Sequence, residues 1–375
     1  MGFSRVLPIA CLCLAACGPT DLEPEPDSDS IASESFGLDQ EPAELIAFAR
    51  TLKQGNFGAD PAAINVGGVL HVYSTSRGGM NIPHMSGANP ADIGTLGTRT
   101  EALPDTERGL HLDGAIWAPT IRHAGDHFAL WYSGGVAGTD KKCLWRATAT
   151  NPEGPFHRVG DGAPICPDPN WNIDPYLHQT PQGFWLYSKI GPQLQRRRLN
   201  DDGLTFAPNS SWDVVLSPTQ SWEQGDGLNR PLVENPAMVQ LAQSNGRQRW
   251  LFFYSANAWR TKNYAIGYAD CGNGALPGAC KKETLTKGWM TSGVAGARFG
   301  PGAASFFGYR GRDYMITHGW QNRCDDPADT CRSAGDPCPA GTRDNDCRFE
   351  NSSGRSLYLF RVGLGAGGNP IAKAL

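Results

Sequence analysis

The sequence predicts an all-β fold, a five-bladed β-propeller, and three observations carry that expectation. The first is repetition. A proline- or glycine-marked turn, a short apolar strand, a polar turn and an aromatic-rich strand recur five times. The copies read Asp60-Pro61…LHVYSTS, Ala118-Pro119…HFALWYSG, Asp174-Pro175…GFWLYSKIG, Asn235-Pro236…RWLFFYSAN and Pro301-Gly302…RDYMITHGW. Anchors at Asp60, Trp117, Asp174, Glu234 and Pro301 lie 57, 57, 60 and 67 residues apart, a period that fits four-stranded sheets repeated about an axis. The second is composition: 46 Gly and 28 Pro with only 19% charged residues suit a turn-dense β protein. The third is the scarcity of helical periodicity. It is confined to PAELIAFARTLKQG near residues 42–55, which predicts a short helix leading into the first blade.

Taken from the N-terminus, residues 1–17 are expected to be an export signal. Arg5 supplies the positive charge and residues 6–16 an apolar stretch too short to cross a bilayer. Leu14-Ala15-Ala16-Cys17 resembles a bacterial lipobox, so Cys17 is the expected lipidation site; an ordinary secretory signal with an incidental cysteine is the alternative. The first reading implies an exported bacterial lipoprotein, held by its lipid at the outer membrane or cell surface. Residues 18–44, acidic, rich in Pro and Ser and free of aromatics apart from Phe36, cannot bury apolar surface and predict a disordered tether. Residues 45–375 then form the propeller domain.

Third strands are legible at NIPHMS (81–86), KCLWRATAT (142–150), NYAIGYADC (263–271) and SLYLFRVGL (356–364). Whether the last of these closes the ring with N-terminal residues is left open. Of 11 cysteines, Cys11 and Cys13 leave with the signal and Cys17 takes the lipid, so eight remain. In an exported protein these predict disulfides, with local pairs Cys143–Cys166 and Cys271–Cys280. Cys324, Cys331, Cys338 and Cys347 lie in an Asp/Gly/Pro-rich insertion in the last blade that is expected to be stapled by its own bridges. No CxxC or nearby His supports zinc there, and its acids do not match an EF-hand loop. The formal net charge is −4 and the largest basic cluster is Arg196-Arg197-Arg198, read as a solvated edge, which argues against nucleic acid as a partner.

Three of the five copies carry a carboxylate at or just before the turn: Asp60, Asp174 and Glu234. Alone, each reads as a turn former. In a propeller, however, the starts of the inner strands meet at one end of the central channel, so the three are expected to converge on one pocket. Trp117 opens the second copy. Its indole could stack on a sugar face or pack between blades.

In order and spacing, Asp60-Pro61, Trp117-Ala118-Pro119, Ile173-Asp174-Pro175, Glu234-Asn235-Pro236 and Phe299-Gly300-Pro301-Gly302 resemble glycoside hydrolase family 43. These are five-bladed propeller arabinanases, α-L-arabinofuranosidases and β-xylosidases. Asn151-Pro152-Glu153-Gly154-Pro155-Phe156 is similar to a further turn of that family, and the likeness runs from about residue 55 to 365. The resemblance implies an inverting O-glycosidase acting on arabinose- or xylose-containing plant polysaccharides or oligosaccharides, arabinofuranosyl bonds first. Asp60 matches the general base, Glu234 the general acid and Asp174 the carboxylate that orients the acid and raises its pKa. Trp117 becomes a candidate for substrate binding. His318 matches a histidine that in arabinanase-like members faces the channel and helps hold calcium through water; a buried structural His is the competing reading. No cofactor is required for the chemistry. The family's acid motif reads Glu-Gly-Pro, whereas this chain has Asn235; Asn is the best-tolerated residue if that position needs a positive φ. A glycan-binding propeller without catalysis is the alternative from another class, and the retention of all three acids argues against it. A fructan-active relative would carry Arg where Ile173 stands and Cys where Asn235 stands.

Overall fold

The structure, a computed structural model, describes residues 58–107, 112–224, 231–243, 245–259, 261, 263–292, 299–320 and 355–375. The expected export signal, Cys17, the tether, the helix near 42–55 and the insertion cysteines 324–347 lie outside the described residues.

Five four-stranded antiparallel sheets form the five blades, each with its strands in chain order. Blade one contains β1 (Ala62–Val66), β2 (Val69–Tyr73), β3 (Pro83–Gly87) and β4 (Thr100–Glu101). Blade two contains β5 (Leu112–Ala124), β6 (His127–Val136), β7 (Lys142–Ala149) and β8 (His157–Arg158). Blade three contains β9 (Asn172–Thr180), β10 (Gly183–Ile190), β11 (Gln193–Arg198) and β12 (Asp213–Leu216). Blade four contains β13 (Val233–Ala242), β14 (Gln248–Ala256), β15 (Ala265–Asp270) and β16 (Lys281–Lys282). Blade five contains β17 (Phe299–Tyr309), β18 (Arg312–Trp320), β19 (Arg355–Leu364) and β20 (Pro370–Ala374). The innermost strands β1, β5, β9, β13 and β17 touch in turn around the axis, and β17 returns to β1.

Burial explains why the second strands read as nearly continuous apolar runs. Each sheet is covered on both faces by its neighbours, so β6 and β14 bury most of their length instead of alternating. Between blades one and two lie Tyr73, Leu130 and Trp145; between two and three, Trp131, Leu177 and Leu186; between five and one, Leu70, Met85 and Ile316. Trp131 and Trp250 are buried and give their indole N–H to Gly203 O (2.7 Å) and Gly274 O (3.0 Å), the partner a buried indole needs. Outer strands β4, β8 and β16 are two residues long and polar, which leaves little edge for another chain to pair with.

The Arg196–Arg198 cluster lies on β11, a third strand hidden by its polar composition. It is less solvated than its charge predicts: Arg196 lies over the Trp185 ring (4.8 Å) and Arg197 over Phe206 (3.9 Å). Both local disulfides are present, Cys143–Cys166 and Cys271–Cys280. The four described strands of blade five all come from the C-terminal part of the chain, and β19 pairs with β18 and β20. Blades five and one are joined instead by hydrogen bonds, Gly58 N–H to Arg355 O (3.1 Å), Ala63 N–H to Ser305 Oγ (3.0 Å) and Asn65 Nδ2 to Gly308 O (3.0 Å).

Candidate active site at the channel mouth

One backbone feature is repeated in every blade. Asp60, Ala118, Asp174, Asn235 and Ala303 all have left-handed φ values, 50°, 43°, 56°, 49° and 54°. All five line a single pocket on the axis. In blades two to five the strand pairing also slips at this point, so each is a bulge that turns its side chain toward the channel. This repeat corrects the sequence alignment of the copies. Trp117 and Glu234 stand one residue before the left-handed position, and the fifth equivalent is Ala303, two residues beyond Pro301. The most chemical residue of each copy is thus not the structurally equivalent one in blades two, four and five. Asn235 does adopt the positive φ that its substitution for Gly demands.

A left-handed non-glycine residue costs about 1–2 kcal/mol, and each of these is held by a hydrogen bond to its amide. Thr75 Oγ1 accepts from Ala118 N–H (3.0 Å), Ser133 Oγ from Asp174 N–H (2.9 Å) and Ser255 Oγ from Ala303 N–H (2.9 Å). His318 Nδ1 accepts from Asp60 N–H (3.0 Å), and Asp174 Oδ2 from Asn235 N–H (3.2 Å). The acceptor always comes from the preceding blade, so these five bonds run around the ring and close it.

The ring brings Asp60, Asp174 and Glu234 to the same end of the channel, each with a different set of donors. Asp60 takes Thr75 Oγ1–H (2.6 Å) and the Arg355 guanidinium (3.0 Å to Oδ1, 3.4 Å to Oδ2). Burial alone would raise its pKa. The Arg355 charge, then His318 and the Thr75 hydrogen bond, outweigh burial and hold the carboxyl below its usual range. Glu234 is buried and takes the Tyr264 hydroxyl on Oε1 (2.8 Å) and the Lys189 ammonium on Oε2 (3.1 Å). Burial, then the charges of Glu234, Asp60 and Asp174, keep the Tyr264 phenol protonated, as a donor must be. Asn235 Nδ2 donates to the same Tyr264 oxygen (2.8 Å), a contact that glycine could not make. Among the described residues, no cation forms an ion pair with Asp174. Burial first, and then the Glu234 charge, push its carboxyl well above the ordinary range, against a smaller opposing effect of Lys189.

Trp117 is partly exposed beside these acids. It stacks on Trp171 (ring centroids 6.3 Å, 18° between planes) under the Lys142 ammonium (5.0 Å), and it is not fully buried as a core residue would be. Trp171 itself is among the exposed large hydrophobic residues. His318 is fully buried and burial, then Arg355, lowers its pKa to about 3. Its Nδ1 is used by the Asp60 amide and its Nε2 lies 3.2 Å from Arg355 Nη1. A guanidinium therefore fills the place where the calcium expectation puts a cation, and a second positive charge there would be repelled. The residues present do not fit a metal. His318 is a ring-closing residue, and among the described residues no group of three His, Cys, Asp or Glu could hold a metal. The Trp259 ring lies under the Arg355 guanidinium (4.9 Å).

Sequence reasoning missed Lys189, Tyr264, Thr75 and Arg355. Lys189 had a signal, a single charge within the apolar run GFWLYSKIG. The others had none, because each looks like an ordinary strand-end residue.

The model of glycosyl hydrolases family 43 matches residues 55–335. No curated protein matches the chain. A thermostable family-43 glycoside hydrolase superposes with a TM-score of 0.65 at 18% identity, covering 88% of this chain and 96% of the other. The α-L-arabinanase of Cellvibrio cellulosa, in complex with arabinohexaose, gives 0.56 at 17% identity and covers 86% and 96%. The α-L-arabinofuranosidase of Lactobacillus brevis gives 0.59 at 15%, covering 85% and 96%. At these identities the superpositions bear on the fold. The family match spans most of the chain, and with it the five-bladed architecture has a name: the chain belongs to glycosyl hydrolases family 43 and is an O-glycosidase.

Proposed function

We propose that the chain hydrolyses α-L-arabinofuranosyl bonds in arabinan, in arabinoxylan or in their oligosaccharides, with inversion at the anomeric carbon. The observation that carries this reading is the division of donors among three carboxyls at one channel mouth. Asp60, held ionised by Arg355, is the general base: it takes a proton from the attacking water. Glu234 is the general acid, which gives its proton to the departing glycosidic oxygen. Asp174 is the third carboxyl. Burial and then the Glu234 charge push its pKa well above normal, so the two carboxyls oppose each other's ionisation. A single displacement of this kind needs a carboxylic acid, a carboxylate and one water, and no cofactor. Trp117 offers an aromatic face for a sugar ring.

Arabinose is preferred because solved structures of the same fold include an α-L-arabinanase with arabinohexaose and an α-L-arabinofuranosidase. The reading includes export and a lipid anchor at Cys17, which would place the enzyme where polysaccharide is met outside the cell. A reducing-sugar assay over arabinan, arabinoxylan and xylan, with chromatography of the products, tests the substrate. Arabinose or arabino-oligosaccharides are expected. Xylose from xylo-oligosaccharides with no arabinose would overturn the preference and make the enzyme a β-xylosidase. Binding of these glycans with no release of sugar would overturn catalysis.

A further inference from the structure

Lys189 breaks the five-fold pattern of the amide ring. The acceptors in that ring occupy one equivalent position on each second strand: Ser133 pairs with Trp117, Ser255 with Glu234 and His318 with Gly302, while Thr75 N–H bonds Ala59 O. In blade three the same position, opposite Ile173, is Lys189. Thr, Ser, Ser and His can each accept the amide of the next blade. A lysine ammonium has only donors. Two consequences are visible. The Asn235 amide turns to Asp174 Oδ2, and the freed ammonium reaches Glu234 Oε2 at 3.1 Å, with both side chains about one-tenth exposed. One substitution in the ring thus ties Asp174 to the backbone beside Glu234 and puts a cation on the Glu234 carboxyl.

We propose that Lys189 is a positioning residue for the general acid and sets the alkaline limit of turnover. The proposal rests on the reading of Glu234 as the acid. Three groups face that carboxyl, and a fourth acts on one of them. Lys189 on β10 and the Tyr264 hydroxyl ahead of β15 favour its ionised form. Asp174 on β9 favours the protonated form, and Asp60 ahead of β1 adds to the negative charge that Asp174 meets. Lys189 is the cation in direct contact. Its charge opposes that of the neighbouring acids at the carboxyl it touches. An opposite charge within about 4–6 Å lowers a carboxyl pKa by about 1–3 units, so its removal moves the alkaline limb of the pH profile up by a similar amount.

The test is kcat and kcat/KM as functions of pH for wild type, Lys189→Ser, Lys189→Gln and Lys189→Arg, on an arabino-oligosaccharide, with far-UV circular dichroism confirming the fold. Lys189→Ser restores the hydroxyl of the other blades and is the variant expected to fold without strain. The expected result is an alkaline limb about 1–3 pH units higher in the Ser and Gln variants, little change in KM, and a wild-type limb in the Arg variant. A folded Ser variant whose rate falls equally at every pH, with its limb where the wild type has it, overturns the proposal while leaving the acid assignment intact. Near-wild-type turnover in Glu234→Gln removes the acid, and the proposal with it.

Discussion

Arg355 is the residue on which the base depends most, and its replacement by Met is worth following in detail. Its guanidinium lies 3.0 Å from Asp60 Oδ1 and is the largest influence lowering that carboxyl's pKa. Burial, the largest influence of all, acts the other way. With Arg355 gone, burial dominates and the Asp60 pKa rises by about 1–3 units, each unit being about 1.4 kcal/mol. A base must be ionised to accept a proton, so the acidic limb of kcat/KM should move to higher pH by that amount. At pH values between the old and new limbs activity should fall tenfold or more; well above both it should fall far less. Arg355→Lys keeps the charge and should keep most of the limb. The assay is hydrolysis of an aryl arabinofuranoside from acidic to alkaline pH. If Arg355→Met raised KM equally at all pH values and left the acidic limb in place, Arg355 would be a substrate contact only and the account of Asp60 would be wrong.

Other consequences concern the packing behind the site and the pH range of the fold. A Cβ on Gly302 would overlap the Tyr264 ring, which cannot move without releasing Glu234 Oε1. Gly302→Ala should therefore lower kcat on the order of 100-fold, as misplacing a catalytic group by about 1 Å does, in a protein that still folds; unchanged kcat would show that Tyr264 does not hold the acid. Asp313 is buried on β18, and burial raises its pKa to about 7. Because the folded value exceeds the unfolded one, its contribution is fullest below about pH 4 and is lost as pH rises through 7, roughly 4 kcal/mol in all. Asp313→Asn should raise Tm at alkaline pH and have little effect at acidic pH, as read by calorimetry; an equal change at both would contradict the burial argument.

Much of the fold was legible in the chain because propeller blades repeat their chemistry as well as their shape. Copies beginning at Asp60-Pro61 and Asp174-Pro175 share the same dipeptide, and four of the five third strands follow the aromatic second strands as legible apolar segments. The register was harder. Left-handed backbone at Ala118 and Ala303 leaves no mark in sequence, since alanine has no special tendency to adopt it, so the repeat was anchored on Trp117 and Pro301 instead. The acids were visible because two of them directly precede prolines and Glu234 stands two residues before one. Their partners were not. Arg355 is 295 residues from the Asp60 it contacts, and Tyr264 is 30 from Glu234. The first pairing depends on the closed ring, and the second on how β13 and the start of β15 meet within blade four. His318 shows the same limit: the family resemblance implied a cation nearby, and the Arg355 guanidinium lies beside it.

The roles of the two principal acids separate most clearly by leaving group. An acid is needed most when the departing oxygen is a poor leaving group, while a base is needed in every turnover. Turnover of an arabino-oligosaccharide and of a nitrophenyl arabinofuranoside should be measured for Glu234→Gln and Asp60→Asn beside the wild type. The account predicts that Glu234→Gln loses the oligosaccharide yet keeps part of its rate on the activated glycoside, and that Asp60→Asn loses both. Wild-type rates on the oligosaccharide in either variant would contradict it.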